Sequence, residues 1–435
     1  MKFYDRQKEL NTLRETERIS SEMAQMTVVT GRRRVGKTTL LKMAFNETPV
    51  LYFFVAKKNE ILLCEEFVLD IESKLGISLG RFQKFADLFK SLMQVSKEKN
   101  FTLIIDEFQE FRSINNSVFS DMQNIWDSNK NESKMNLVLC GSIYSMMKKI
   151  FENSKEPLFG RATSKLTVNP FDTGKLKEIL GDYYPDYKPD DLLAFYMVTG
   201  GVAKYIEQLV QKKSFTKDKI LNTVFSEGSY FLNEGRDVLI DEFGKDYGNY
   251  FSILSLIASS KTERAEIESI LGMPVGGYLD KLEKDFNIIR RVRPFGSKEG
   301  SRSTKFLIED NFLNLWFRFI YKFRSAVEIS NLAYVRDIAT RDYEVYSGIV
   351  LEKYFRAKWI ESRQFSDIGN YWDRKGGNEI DLVAINEMEE RIVFCEIKRN
   401  NKKINLSQLQ TKSASCLQIY PQFNASYQAL SLDDM

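Results

Sequence analysis

Residues 31–38 read GRRRVGKT, two glycines five apart followed by lysine and threonine. This G-x-x-x-x-G-K-[ST] spacing lets successive backbone N–H groups turn toward phosphate oxygens, an approach that a side chain at Gly36 would block. Lys37 then reaches the β- and γ-phosphates, and the Thr38 hydroxyl is placed to ligate Mg2+. The flanks agree. Thr27-Val28-Val29-Thr30 is a β-branched strand entering the loop, and residues 38–45 (TTLLKMAF) leave it with helical periodicity. The phosphates therefore sit at a helix N-terminus. Gly31, Arg34, Val35, Gly36, Lys37, Thr38 and Thr39 are the expected nucleotide-contacting residues, with ATP and Mg2+ as cofactors.

A second half of that site follows. Residues 101–107 read FTLIIDE, an apolar run of the kind a fully buried parallel strand shows, ending in two acids. At its C-terminal end Asp106 is expected to hold Mg2+ and Glu107 to polarise the attacking water as general base. A further strand at 136–140 (NLVLC) ends in Gly141-Ser142. Two roles suit Ser142: touching the γ-phosphate or the water, and capping the following helix.

Composition narrows the rest. The chain has 435 residues, 43% hydrophobic and 28% charged, with a net charge of +3, so any nucleic-acid surface must be local. Its length suggests two to four domains at roughly one per 150 residues. There is no histidine, which excludes histidine triads, histidine bases and histidine–metal sites. Cys64, Cys140, Cys395 and Cys416 are scattered without a C-x-x-C pair, which argues against zinc. The opening MKFYDRQKEL lacks an apolar signal core, and no stretch reaches the ~20 apolar residues of a membrane span. A cytoplasmic chain without membrane partners is expected.

Residues 1–20 are expected to form an amphipathic helix entered after Tyr4-Asp5-Arg6. Strand–helix alternation up to residue 170 predicts an open parallel sheet, with strands at 26–30, 50–55, 101–106, 136–140 and 165–168. Residues 171–246 read as a helical lid broken at Gly200-Gly201. Residues 247–335 give three helical segments, then strand-like runs at 288–292 and 304–308, the order of a winged helix. The hairpin between them (290–305, RRVRPFGSKEGSRSTK) carries six basic residues and one acid. That density suits phosphate contact, although a solvated hairpin or a protein-contact wing would carry it too. Residues 310–335, opening DNFLNLWFRFIYKF, read as one aromatic packing helix.

The C-terminal region, 336–435, holds a second constellation. A helix over 347–359 carries Glu352. After a turn at Gly376-Gly377, a strand at 379–385 (EIDLVAI) carries Asp381, and its hairpin partner at 391–398 (RIVFCEIK) carries Glu396 and Lys398. Pairing places Asp381 beside Glu396, and the period of two puts Glu396 and Lys398 on one face. Two carboxylates and an ammonium on an apolar sheet suit Mg2+ and activation of a water against a phosphodiester, with Glu352 completing the metal shell. Gln408 and Lys412, four apart on a later helix, would contact a nucleic-acid backbone. An ordinary hairpin with its charges outward would share the same pattern.

Taken together, FYDRQKEL, GRRRVGKTTLL, LIIDEFQEF, LVLCGSIYSMM, PLFGRAT, VTGGVAKYI, IEDNFLNLWFRF, NEIDLVA and FCEIKRN resemble the archaeal-type P-loop ATPases of the AAA/STAND assemblage. These have a helical lid, a winged helix and a C-terminal domain similar to the PD-(D/E)xK restriction-endonuclease-like fold. The resemblance implies ATP binding by Lys37, Thr38 and Asp106, catalytic Glu107 and Ser142, and a γ-phosphate-sensing or finger-type role for Arg161, where a salt bridge is the plain alternative. The combined reading is an α/β chain whose winged helix engages DNA and whose nuclease-like module binds or cuts nucleic acid. The rival is a nucleotide-dependent switch whose C-terminal fold only binds. A protein partner and a second copy of the chain are further expected partners.

Overall fold

The structure, a computed structural model, describes residues 1–298, 303–373 and 378–435, and not the side chains of Asp241 and Lys245. Arg302 and the turn expected at Gly376-Gly377 lie outside the described residues. The chain divides into two compact units, Asp5–Asn169 and Met1–Tyr4 with Pro170–Met435.

The first unit is a five-stranded parallel sheet of β1 (Gln25–Thr30), β2 (Val50–Phe54), β3 (Phe101–Asp106), β4 (Met135–Cys140) and β5 (Ser164–Thr167), in the order β2-β3-β4-β1-β5. Helices join every successive pair of strands, as parallel neighbours require. β3 and β4 are buried along their whole length, as is nearly all of β1. That is why they read as continuous apolar runs. β1 bonds β4 on one side and β5 on the other. The chain leaves β1 for the far edge of the sheet, and a ligand crevice forms beyond strand ends at such a reversal. The first helix spans Gln7–Ser20, entered after Tyr4-Asp5-Arg6 as expected, because Asp5 and Arg6 adopt left-handed φ values of 51° and 76°.

The second unit is built around Pro189–Thr199, a helix buried from Asp191 to Thr199, and so apolar all round. Helices Tyr247–Ala258, Arg264–Leu271 and Gly276–Lys284 precede an antiparallel hairpin of β6 (Ile289–Val292) and β7 (Lys305–Ile308). The hairpin is tied down, unlike a solvated wing. The Phe295 N–H donates to the Asn370 carbonyl at 2.8 Å, and its ring is buried against Tyr371, Ile380 and Val383. Trp372 Nε1 donates to Ser303 Oγ at 2.8 Å.

The single aromatic helix expected over 310–335 is instead broken. Asn311–Leu315 is α-helical, Trp316–Tyr321 is a π-helix, and separate helices span Arg324–Glu328 and Leu332–Arg341. The wider π turn buries Trp316, Phe317, Phe319 and Ile320 together, which one stripe of an α-helix would not do.

The C-terminal part packs helix Tyr343–Ser362 beside a four-stranded sheet. It comprises β8 (Asp367–Trp372), β9 (Glu379–Asn386), β10 (Arg391–Ile397) and β11 (Asn424–Leu430), ordered β11-β10-β9-β8. β10 pairs antiparallel with β9 and parallel with β11, the latter through helix Leu406–Leu417. Among the described residues, no helix is long and apolar enough to cross a membrane.

Candidate functional site

The GRRRVGKT loop follows β1 and runs into helix Lys37–Ala44. Gly31 and Gly36 have φ values of 148° and 98°, and a Cβ at Gly31 would meet the Val168 carbonyl oxygen at 2.5 Å. Glycine is therefore obligatory at that turn. Arg6, itself buried, donates from Nη2 to the Asn169 carbonyl at 2.7 Å and to the loop's Val35 carbonyl at 3.4 Å. Lys37 Nζ lies within the loop, 2.7 Å from the Gly31 carbonyl and 3.1 Å from that of Arg32. Burial pulls its ammonium below the ordinary lysine range, partly offset by Cys140, Glu107 and Asp106.

The end of β3 faces the loop. Thr38 Oγ1 donates to Asp106 Oδ2 at 3.4 Å, and the Tyr52 hydroxyl, from β2, donates to the same oxygen. Burial and that carboxylate raise the Tyr52 phenol far above its usual range, so it stays a donor. Glu107 has left-handed backbone, φ 55°, a conformation that costs on the order of 1 kcal/mol and clusters at functional sites. Its Oε2 accepts from Ser142 Oγ at 2.7 Å and from Gln109 Nε2 at 2.5 Å, and Arg33 Nε reaches Ser142 Oγ at 3.4 Å. Lys37, Thr38, Asp106, Glu107 and Ser142 thus converge at one end of the sheet. The hydroxyl of Thr38 and carboxylate of Asp106 are hard oxygen donors, a set that fits Mg2+.

The C-terminal constellation also converges. Leu382 faces Cys395 across β9 and β10, which brings Asp381 opposite Glu396. Asp381 Oδ2 accepts from the Ile397 N–H at 2.8 Å and from Lys398 Nζ at 3.0 Å. Lys398 Nζ lies 3.2 Å from Glu396 Oε1, and Lys412 Nζ lies 3.5 Å from Glu396 Oε2. Burial pulls the Lys398 ammonium down, but Asp381 and Glu396 reverse that and leave it above the ordinary lysine range. Burial, with the Asp381 charge beside it, pushes the Glu352 carboxyl well above the usual carboxylate range.

Residues 3–209 match a family described as an ATPase domain predominantly from Archaea, and residues 316–413 match archaeal and bacterial proteins of unknown function. The chain is a P-loop ATPase. An uncharacterized protein of Methanocaldococcus jannaschii is 29% identical over 410 residues, 92% of this chain and 88% of its own. Among solved structures, a Walker-type ATPase of Pyrococcus abyssi is 20% identical with a TM-score of 0.56, covering 72% of this chain and 96% of that one. The ORC2 protein of Aeropyrum pernix, solved with ADPNP and ADP, is 15% identical with a TM-score of 0.49 over 75% of this chain and 96% of that one.

One expectation for this ATPase is corrected, and two expected groups have partners of their own. Arg161 does not join the loop. It pairs with Asp127 at 3.1 Å and donates to the Phe159 carbonyl. The nearby Thr163 N–H bonds the carbonyl of Met26 at the start of β1, whereas the loop follows its far end, about 20 Å of strand away for six residues at ~3.3 Å each. Glu352 does not complete a three-carboxylate shell: among the described residues no group of three or more acids, cysteines or histidines is arranged for a metal ion. The basic hairpin is partly neutralised, in one case by an acid of β9. Arg290 pairs with Glu309, Arg291 with Asp280 and Glu283 at 2.7 and 2.8 Å, and Lys305 with Glu379 at 3.3 Å.

Sequence reasoning missed Tyr52, Gln109, Arg6 and Arg33, and had Lys412 on a nucleic-acid backbone rather than on Glu396. Gln109 had a local signal, two residues after Glu107. Tyr52 had none, since its approach to Asp106 depends on β2 pairing with β3.

Proposed function

We propose that this ATPase hydrolyses ATP at the GRRRVGKT loop and uses its nucleotide state to control a C-terminal module that acts on phosphodiesters of DNA. The convergence of Thr38, Asp106, Glu107 and Ser142 on the loop carries the first part. Lys37 holds the β- and γ-phosphates, while Thr38 and Asp106 would hold Mg2+, which neutralises developing phosphate charge when bound. Ser142 and Gln109 fix Glu107 through Oε2, and its other oxygen takes the proton of the attacking water. Lys37→Ala should weaken ATP binding at least tenfold, about 1.4 kcal/mol. Equal affinities in equilibrium titrations of mutant and wild type would remove the loop from nucleotide binding.

The bridging of Asp381 and Glu396 by Lys398 supports the second part. The two acids and their oxygen chemistry fit Mg2+, which would supply Lewis-acid activation of a water. Lys398, held charged by its neighbours, stabilises negative charge on the phosphodiester rather than acting as the base. Cleavage of single- and double-stranded DNA with Mg2+ or Mn2+, with and without ATP, tests this reading. The contact of Lys412 with Glu396 favours a second one: with each acid already facing an ammonium, the module binds without cutting, and ATP state regulates assembly.

We read helices 247–284 and the β6–β7 hairpin as a winged helix. Since Arg290, Arg291 and Lys305 are paired with acids, Arg293 and Lys298 carry its DNA contact among the described basic residues. Replacing both by glutamine should reduce the slope of log K against log salt by about two. An unchanged slope would assign the hairpin to protein contacts.

A further inference from the structure

A cavity of about 220 Å³ in the second unit is lined by Tyr196, Arg290, Glu309, Lys353, Arg356, Ala357, Ile360 and Glu361. It lies where the buried helix Pro189–Thr199, the hairpin strand β6 and the long helix Tyr343–Ser362 meet. No step of ATP hydrolysis or phosphodiester chemistry uses it.

Its charges do not balance. Three cations face two acids, and both acids are engaged: Glu309 pairs with Arg290, and Glu361 accepts from the Thr173 N–H at 3.1 Å. Lys353 Nζ donates to the carbonyls of Ile308 and Glu309 at 3.0 and 2.8 Å, which leaves one of its three N–H groups. Arg356 has no acid within ion-pair distance among the described residues, and its buried Nε has no hydrogen-bond partner. A buried guanidinium N–H without an acceptor is destabilising until a ligand supplies one. Arg290 and Arg356 also repel: burial, and then the Arg356 charge, hold the Arg290 guanidinium below its ordinary range.

We propose that this cavity is a binding site for a small phosphoryl dianion, inorganic phosphate or a low-molecular-weight phosphate monoester, held by Arg356, Arg290 and Lys353. A tetrahedral oxyanion offers the acceptors these donors lack, and the planar guanidinium matches it through two N–H groups at once. The cavity is smaller than the ~300–1,000 Å³ of pockets for drug-sized ligands, which excludes a nucleotide. Because the lining comes from three elements, the anion would lock the hairpin and the C-terminal helix onto the buried helix.

Calorimetric titration tests this in the full chain carrying Lys37→Ala, so that the nucleotide loop lacks its phosphate-binding ammonium. Inorganic phosphate at constant ionic strength should bind saturably at one site. Adding Arg356→Gln should weaken that binding at least tenfold. Ile360→Glu should do the same: this side chain is 48% exposed at the cavity, so the result stands even if the arginine variant does not fold. Glycerol 3-phosphate binding tighter than phosphate identifies a monoester as the ligand, and the reverse order identifies the free ion. No saturable heat from either, or undiminished binding in Ile360→Glu and in a folded Arg356→Gln, overturns the proposal. A short DNA duplex that depends on Arg356 while both small anions give no heat overturns it in favour of nucleic-acid contact.

Discussion

Glu107→Gln is expected to bind ATP with near wild-type affinity and to hydrolyse it at least about a hundredfold more slowly, the lower end of what a positioned general base contributes. The carboxylate is held at the end of β3 by Ser142 and Gln109, both donating to Oε2. The amide has the same shape but no basic oxygen, and its NH2 group cannot accept the hydrogen bonds that the carboxylate takes. Binding should survive because the phosphate contacts belong to Lys37 and the loop backbone. Steady-state phosphate release, with equilibrium binding of a fluorescent ATP analogue, separates the two effects. Unchanged turnover would place the base elsewhere. A wild-type protein that binds ATP without turning it over would favour the regulatory switch.

Asp381→Ala is expected to abolish Mg2+-dependent DNA cleavage while leaving ATP binding intact. Asp381 contributes one of the two acids, and it is the partner that holds Lys398 in place at 3.0 Å. Its loss removes a metal oxygen and unpairs the ammonium together. It also strips the acceptor from the Ile397 N–H, at a cost on the order of 1–3 kcal/mol if that donor stays buried. A thermal melt should accompany the assay, and Asp381→Asn, which keeps an acceptor for Ile397, should lose cleavage with less loss of stability. Cleavage that survives both substitutions would leave the C-terminal part a binding module.

What the chain spelled out alone was local or periodic. The loop at 31–38 is legible because consecutive backbone groups of one segment make the site, and glycines mark where they turn. The strands β1, β3 and β4 are legible because burial on both faces writes unbroken apolar runs. Asp381, Glu396 and Lys398 are legible because a hairpin joins them through one short turn, and the period of two sets their face. The rest depended on which distant segments meet. Tyr52 reaches Asp106 across 54 positions, a contact set by the strand order β2-β3-β4-β1-β5. Arg161, near the start of β5, is carried to the opposite end of the sheet from the loop, because parallel strands place all their starts on one side. Arg290 and Arg291 read as a basic wing, but the fold brings Glu309, Asp280 and Glu283 against them. A charge in a sequence has no partner until the chain folds, and only tertiary structure decides whether it meets an acid, a phosphate or water.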